Sequence, residues 1–317
     1  MRKSSIGIDR CKFELNFKNQ QRGLDRIIPI YSRDNFKFGE ILMERGKVML
    51  CLCLPKYFEV HNAVPFRNEK LHYFNEIRQQ VVKVINSNFE GLYRSTLTSI
   101  EMNITEVISD CDYEKVFLLL SHSLLDTVKQ NARYEIISDE SIVMPMTSGI
   151  KTRLIKGKWI LKAYDKKKQI ESEYDFTISN RPIRIEFVFS RLAIEKMFGN
   201  KSGFDLIFSK VGMNILVNAY KETLGSLINE FVYPRLENIH EQMMLHIRKT
   251  NSIQETYCEF KEVIYDQEQL RRVLKDWNEE RGMNDNSRST LSKINKKYNI
   301  SKGTLRFINE LLNLSKM

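Results

Sequence analysis

The sequence lacks any hydrophobic run long enough to cross a bilayer. Its longest, Val48 to Leu54, falls far short of the ~20 residues a spanning helix needs. The N-terminus is polar and has no signal-peptide core. A soluble, cytoplasmic protein with no membrane partner is expected. Cysteine is scarce, and the five residues are Cys11, Cys51, Cys53, Cys111 and Cys258. Their number is odd and none stand in CxxC spacing, so they predict reduced thiols. Cys51 and Cys53 alternate along an apolar run and read as core residues. There is no internal repeat, no Walker loop and no GxGxxG stretch.

What the chain has is length, a core and positive charge. Its 317 residues allow about two domains, and 42% hydrophobic residues can bury a proper core. The net charge is +10. That balance suits nucleic acid or another anionic partner.

The first two thirds of the chain read mainly as strands. Ile6 to Phe17 alternates loosely. Phe36 to Met43 and Lys47 to Leu54 flank Glu44-Arg45-Gly46, which suits a hairpin turn. Helical spacing marks 68–86 and 113–128. Residues 95–106 predict a strand with Leu97, Ser99, Glu101 and Asn103 on one face and Ile100, Met102 and Ile104 on the other. Strands are expected at 132–137, 141–146, 150–155 and 158–164. In 181–191, Arg184, Glu186 and Val188 share one face, and Ile185, Phe187 and Phe189 share the other.

From Leu192 onward the pattern turns helical. The expected fold class is α+β, with three parts: a sheet-containing body at 1–210, a helical region and linker at 211–286, and a tail at 287–317. Leu291, Ile294 and Tyr298 fit one short helix; Leu305, Ile308 and Leu312 fit a second. Asn299 suits the turn between them. This is a helix-turn-helix pattern with seven Lys/Arg against one Glu. Lys302, Thr304 and Arg306 would stand near the start of the second helix, where bases are read.

The densest chemistry lies in 157–171, GKWILKAYDKKKQIE. From Lys151 to Lys168 there are eight Lys/Arg and one Asp. A tyrosine in such a field, Tyr164, suits attack on a phosphodiester, because nearby cations favour the phenolate and attract the backbone. Residue types alone equally describe the basic end of a hairpin with an ordinary Tyr. Glu101 and Glu186 interrupt apolar strands, which is costly unless they have a partner. Carboxylates that hold a divalent metal could polarise a phosphoryl oxygen while the tyrosine oxygen attacks.

These residues resemble a known family, the rolling-circle replication initiators of the Rep_trans plasmid type and of filamentous phages. AYDKKKQIE looks like their tyrosine motif, in which Tyr164 and Lys166 match. IRIEFVFSR resembles the strand that carries an arginine and then an acid, here Arg184 and Glu186, and Met197-Phe198-Gly199 is similar to the phage proteins. SIEMNIT resembles the earlier acidic strand, with Glu101 where Asp is usual and Ser99 in place of Arg. IDRCKFELNF resembles the first strand, with Asp9 in the matching place. The chain has no His-hydrophobe-His pair, so the metal site of the histidine-dependent initiators is absent.

The resemblance implies an RRM-like antiparallel sheet with flanking helices. It implies strand nicking and rejoining through a 5′-phosphotyrosine, with Tyr164 as nucleophile and Lys166 beside it. The implied cofactor is Mg2+ or Mn2+ on Glu101, Glu186 and Asp9. Lys162, Lys167, Lys168 and Arg184 are expected to contact DNA. Single- and double-stranded origin DNA, a host helicase and a second copy of the chain are the partners expected. Tyr174 is the nearest candidate for a second tyrosine. Two rival readings stand beside this one: a conjugative relaxase of the same chemistry, and a non-catalytic DNA-binding regulator.

Overall fold

A computed structural model describes residues 6–18, 25–62, 64–107, 110–125, 135–138, 141–144, 159–166, 171, 182–199, 203–284 and 286–316. The strand expected at 150–155, together with Lys167, Lys168 and Tyr174, lies outside these residues.

Nine described strands form one antiparallel sheet. They are β1 (Gly7–Phe17), β2 (Arg26–Tyr31), β3 (Lys37–Glu44), β4 (Lys47–Cys53), β5 (Tyr93–Val107), β6 (Glu135–Ser138), β7 (Ser141–Met144), β8 (Trp159–Asp165) and β9 (Pro182–Ser190). Their order is β2-β3-β4-β1-β5-β9-β8-β7-β6. Of these, β2 has no counterpart among the expected strands. The β3–β4 hairpin turns through Arg45 and Gly46, both at positive φ (50° and 76°). A two-residue loop of that hand matches the twist of the paired strands.

One face of the sheet is apolar. Ile8, Phe13, Leu97, Ile100, Met102, Ile104, Leu161, Ile185, Phe187 and Phe189 are all buried. Helix α1 (Phe74–Asn88) buries Ile77, Val81 and Ile85. Phe13, Phe74 and Phe204 join Phe208 in a ring cluster with centroids 4.9–6.2 Å from its own. Tyr220 stands edge-on to Phe187 at 5.1 Å and donates to the Ile185 carbonyl at 2.8 Å.

Strict alternation fails at two places on β1 and β5. Lys12 pairs with Ser99 but Phe13 pairs with Leu97, so Thr98 is an extra residue. Leu97 therefore belongs to the apolar face, not to that of Glu101 as the alternation predicts. The second irregularity lies in β1, where Ile8 opposes Met102 and Cys11 opposes Ile100. Asp9 and Arg10 together oppose Glu101 alone.

The chain divides into two units: 1–107 with 132–221, and 108–131 with 222–317. The sequence pattern suggests three parts, at 1–210, 211–286 and 287–317. Helix α2 (Asp110–Leu125) joins the second unit although strands of the first flank it in sequence. Helix α5 (Lys210–Leu227) runs across the boundary; α3 (Arg191–Phe198) and α4 (Phe204–Ile207) precede it in the first unit.

The second unit continues with α6 (Tyr233–Thr250), α7 (Ile253–Phe260), α8 (Gln267–Glu280), α9 (Ser287–Tyr298) and α10 (Thr304–Lys316). The last two are not a tethered tail, because their contacts run back into the rest of the unit. Tyr233 donates to Asn309 at 2.6 Å, and the Gln267 amide donates to the Ser301 carbonyl at 2.9 Å. Ile294, Ile308, Leu311 and Leu312 are buried. A chain ended near Arg281 would strip these residues from the core of the second unit. Asn299 is left-handed at φ 48°, as expected.

Asp266 ties α8 to α10. Its Oδ1 accepts from the Glu268 amide at 2.8 Å and its Oδ2 from the Leu305 amide at 3.2 Å. One buried carboxylate thus caps two helices. Replacing Asp266 by Ala should cost about 2 kcal/mol, since each lost cap costs about 1 kcal/mol. Denaturant unfolding of the full chain would measure this; a change below ~0.5 kcal/mol would mean that the double cap carries little.

Candidate functional site

The other face of the sheet carries the expected acids. Asp9, Glu101 and Glu186 each offer a carboxylate oxygen, and these oxygens lie within 4.8 Å of one another. Three strands bring them together. In β5 and β9, Glu101 pairs with Val188 and Asn103 with Glu186, so both acids face the same way one step apart. The bulge in β1 supplies the third. Two residues set against Glu101 turn Asp9 towards the cluster and put Arg10 on its rim, 3.9 Å from Glu101.

Asp9 is anchored from several sides. Asn62 Nδ2 donates to both of its oxygens, at 2.9 and 2.8 Å. Arg184 Nη1 donates to Oδ2 at 2.9 Å. Arg184 also donates from Nε to Thr105 Oγ1 at 3.0 Å and from Nη2 to the Asn62 carbonyl. Lys166 Nζ donates to Asn62 Oδ1 at 2.6 Å.

Gly7 makes this delivery of Asn62 possible. A Cβ there would lie 2.6 Å from the Phe66 carbonyl oxygen. Without one, Phe66 pairs with Ile8 through two 2.8 Å backbone bonds, taking the place beside β1 that β4 has vacated. The loop that ends there carries Asn62.

Lys162 on β8 pairs with Glu186 in the strand register. Its ammonium lies 2.7 Å from Glu186 and 3.1 Å from Glu101. Even so, burial and then the charge of Glu101 push the Glu186 carboxyl up to about 7. Burial and the adjacent Asp9 raise the Cys53 thiol to about 12, so it stays protonated 3.7 Å from Asp9.

The expected site residues thus fall into groups. Asp9, Glu101 and Glu186 converge. The backbone of Tyr164 pairs with that of Arg184, two residues along β8 from Lys162. The Tyr164 side chain is outside what is described. Four expectations are corrected. Arg184 is fully buried, with Nε, Nη1 and Nη2 bonded to Thr105, Asp9 and the Asn62 carbonyl, and so it is no surface contact for DNA. Lys166 is likewise enclosed behind Asn62. Thr304 is fully buried at the start of α10, whereas Lys302 and Arg306 are exposed. Lys162 is bound to carboxylates rather than free for phosphate.

Sequence reading missed Asn62, which stands in a loop without periodicity. It also missed Asn103 and Thr105 as partners, although both share the strand face of Glu101. The donor set is all oxygen. Such a set suits a hard divalent cation. The sequence matches no known family model and no curated protein.

The raised carboxyl has a measurable consequence. A carboxylate whose pKa rises on folding from 4.5 to about 7 binds its proton more tightly in the folded state. The stability it contributes is full below pH ~4.5 and is lost as pH climbs through about 7. Without divalent cations, the wild-type chain should lose up to about 3 kcal/mol over that window relative to Glu186→Gln. Parallel stability curves for the two proteins between pH 4.5 and 8 would place the titration elsewhere.

Proposed function

We propose that this protein nicks and rejoins one strand of origin DNA, and so initiates rolling-circle replication. The observation that supports this most is the convergence of Asp9, Glu101 and Glu186 on one sheet face, next to the strand that carries Tyr164. An antiparallel sheet with helices over its apolar face also agrees with the RRM-like arrangement that the resemblance implies.

In this reading Tyr164 is the nucleophile. Its oxygen bonds to the phosphorus, the bond from phosphorus to the 3′ oxygen breaks, and that oxygen leaves as a 3′-hydroxyl after taking a proton. The 5′ end stays on the enzyme as a phosphotyrosine. The reverse attack by a 3′-hydroxyl rejoins the strand, so no bond energy is lost. Asp9, Glu101 and Glu186 would hold Mg2+ or Mn2+, which would polarise the phosphoryl oxygen. Asn62 and Arg184 keep Asp9 fixed, and Lys166 keeps Asn62 fixed. Lys167 and Lys168 stand three and four residues after Tyr164 and would add cationic charge for the DNA backbone.

Helices α9 and α10 serve in this reading as a helix-turn-helix. Arg288, Lys293, Lys296, Lys297 and Arg306 are exposed on them, and Lys302 is exposed in the turn between them. They would attract duplex origin DNA, while the sheet face takes the single strand. The protein would act in the cytoplasm with a host helicase, and a second copy would serve the closing step.

Incubation with single-stranded origin DNA and Mn2+ tests the reading. A covalent protein–DNA adduct is expected, and Tyr164→Phe should bring it to background while DNA affinity stays. Cleavage by Tyr164→Phe at the wild-type rate would remove the assignment. Binding without any adduct in the wild type would favour the regulator.

A further inference from the structure

We propose that Lys162 is a built-in counter-ion that a divalent cation must displace, so that DNA and metal bind the site cooperatively. The inference rests on the nickase reading and deepens it.

Three observations carry it. First, the Lys162 ammonium bridges Glu101 and Glu186 at 3.1 and 2.7 Å, using two of the three carboxylates that a metal would need. An ammonium and a divalent ion cannot share those carboxylates without close like-charge contact.

Second, the cations around the cluster differ in freedom. Arg184 is fully buried and bonded to Asp9, Asn62 and Thr105, so it cannot leave. Arg10 reaches Glu101 only at 3.9 Å from the rim. The Lys162 side chain keeps 27% of its surface exposed, on a flexible four-carbon stem. It can swing outward when something else neutralises the acids.

Third, Asn103 is fully buried on the cluster's face, directly opposite Glu186 in the register. Its Nδ2 has no hydrogen-bond partner among the described residues. A buried donor left over beside three carboxylates points to an acceptor arriving from outside, as a phosphate oxygen or a metal-bound water would.

The outward-swung ammonium needs an anion, and a DNA phosphate supplies one. Lys162 therefore chooses between the two carboxylates and the substrate backbone. Metal favours the outward state, and DNA favours it as well. Each ligand then tightens the other by the same factor, as linkage requires.

The test uses the full chain in a Tyr164→Phe background, so that no strand is cut. The probes are Mn2+ and a single-stranded oligodeoxythymidine, and both affinities are read by titration calorimetry. With Lys162 present, the oligonucleotide should tighten Mn2+ binding by about tenfold, within the ordinary range of coupling between sites. Lys162→Met should bind Mn2+ about tenfold tighter without DNA and show a smaller gain when DNA is added, because only the direct contact of metal and phosphate then remains.

Equal Mn2+ affinity in the two proteins, or coupling in Lys162→Met as large as in the parent, would overturn the proposal while leaving the nickase reading intact. Mn2+ binding that Glu186→Gln leaves unchanged would remove the metal site itself, and both ideas with it. Should Lys162→Met unfold without metal, thermal unfolding with added Mn2+ decides. A larger rise in melting temperature than in the parent supports displacement, and an equal or smaller rise overturns it.

Discussion

A buried ion pair holds the functional face together. Asp9 and Arg184 are 1% and 0% exposed, and each would be costly to bury alone. They are tolerable because neither is alone. Asn62 covers both oxygens of Asp9, Thr105 and the Asn62 carbonyl take further donors of Arg184, and Lys166 backs Asn62. Removing one member would strand a buried charge. The network therefore sets where β1, β5 and β9 stand relative to the loop at Asn62, and so where the acids converge.

With Asp9 held rigid, the remaining two acids are the adjustable part. Glu101 and Glu186 share a single lysine, and Glu186 remains a carboxyl that burial and Glu101 push up to about 7. Three cations, Arg10, Lys162 and Arg184, face the three acids, so the rise comes from burial and from Glu101. Asp9 is the fixed part of the cluster, and Glu101 and Glu186 are the part held only by an ammonium on a flexible stem. That division suits chemistry in which a phosphodiester and a cation must arrive together.

The opposite face of the sheet gives these groups a floor. Phe187, Ile185 and Met102 alternate with Glu186, Arg184 and Asn103 along the same strands, so burying the apolar residues on one face fixes the polar ones on the other. Thr98 and the Asp9–Arg10 bulge adjust this floor locally, each by one residue. In the second unit, Asp266 does for helices what Arg184 does for strands: one buried charge is satisfied by two elements and fixes both.

Much of this was legible in the chain. Period-two patterning marks β1, β5 and β9, and it puts Arg184 and Glu186 on the face opposite Phe187. Arg45-Gly46 marks the hairpin, and Asn299 marks the turn before α10. Local rules suffice there, because strand alternation and positive φ depend on near neighbours alone. Alternation carried across Thr98, in contrast, misplaces Leu97, and no local pattern announces a bulge. Nor could spacing show that Asn62 reaches Asp9, that Arg184 is enclosed rather than presented to DNA, or that Thr304 is buried. The last two helices read as a tethered tail, yet they belong to the core of the second unit. Sequence by itself determined which residues carry charge and which face of each element they occupy. Tertiary structure alone decided which charges meet, because burial and pairing depend on strands and loops far apart in the chain.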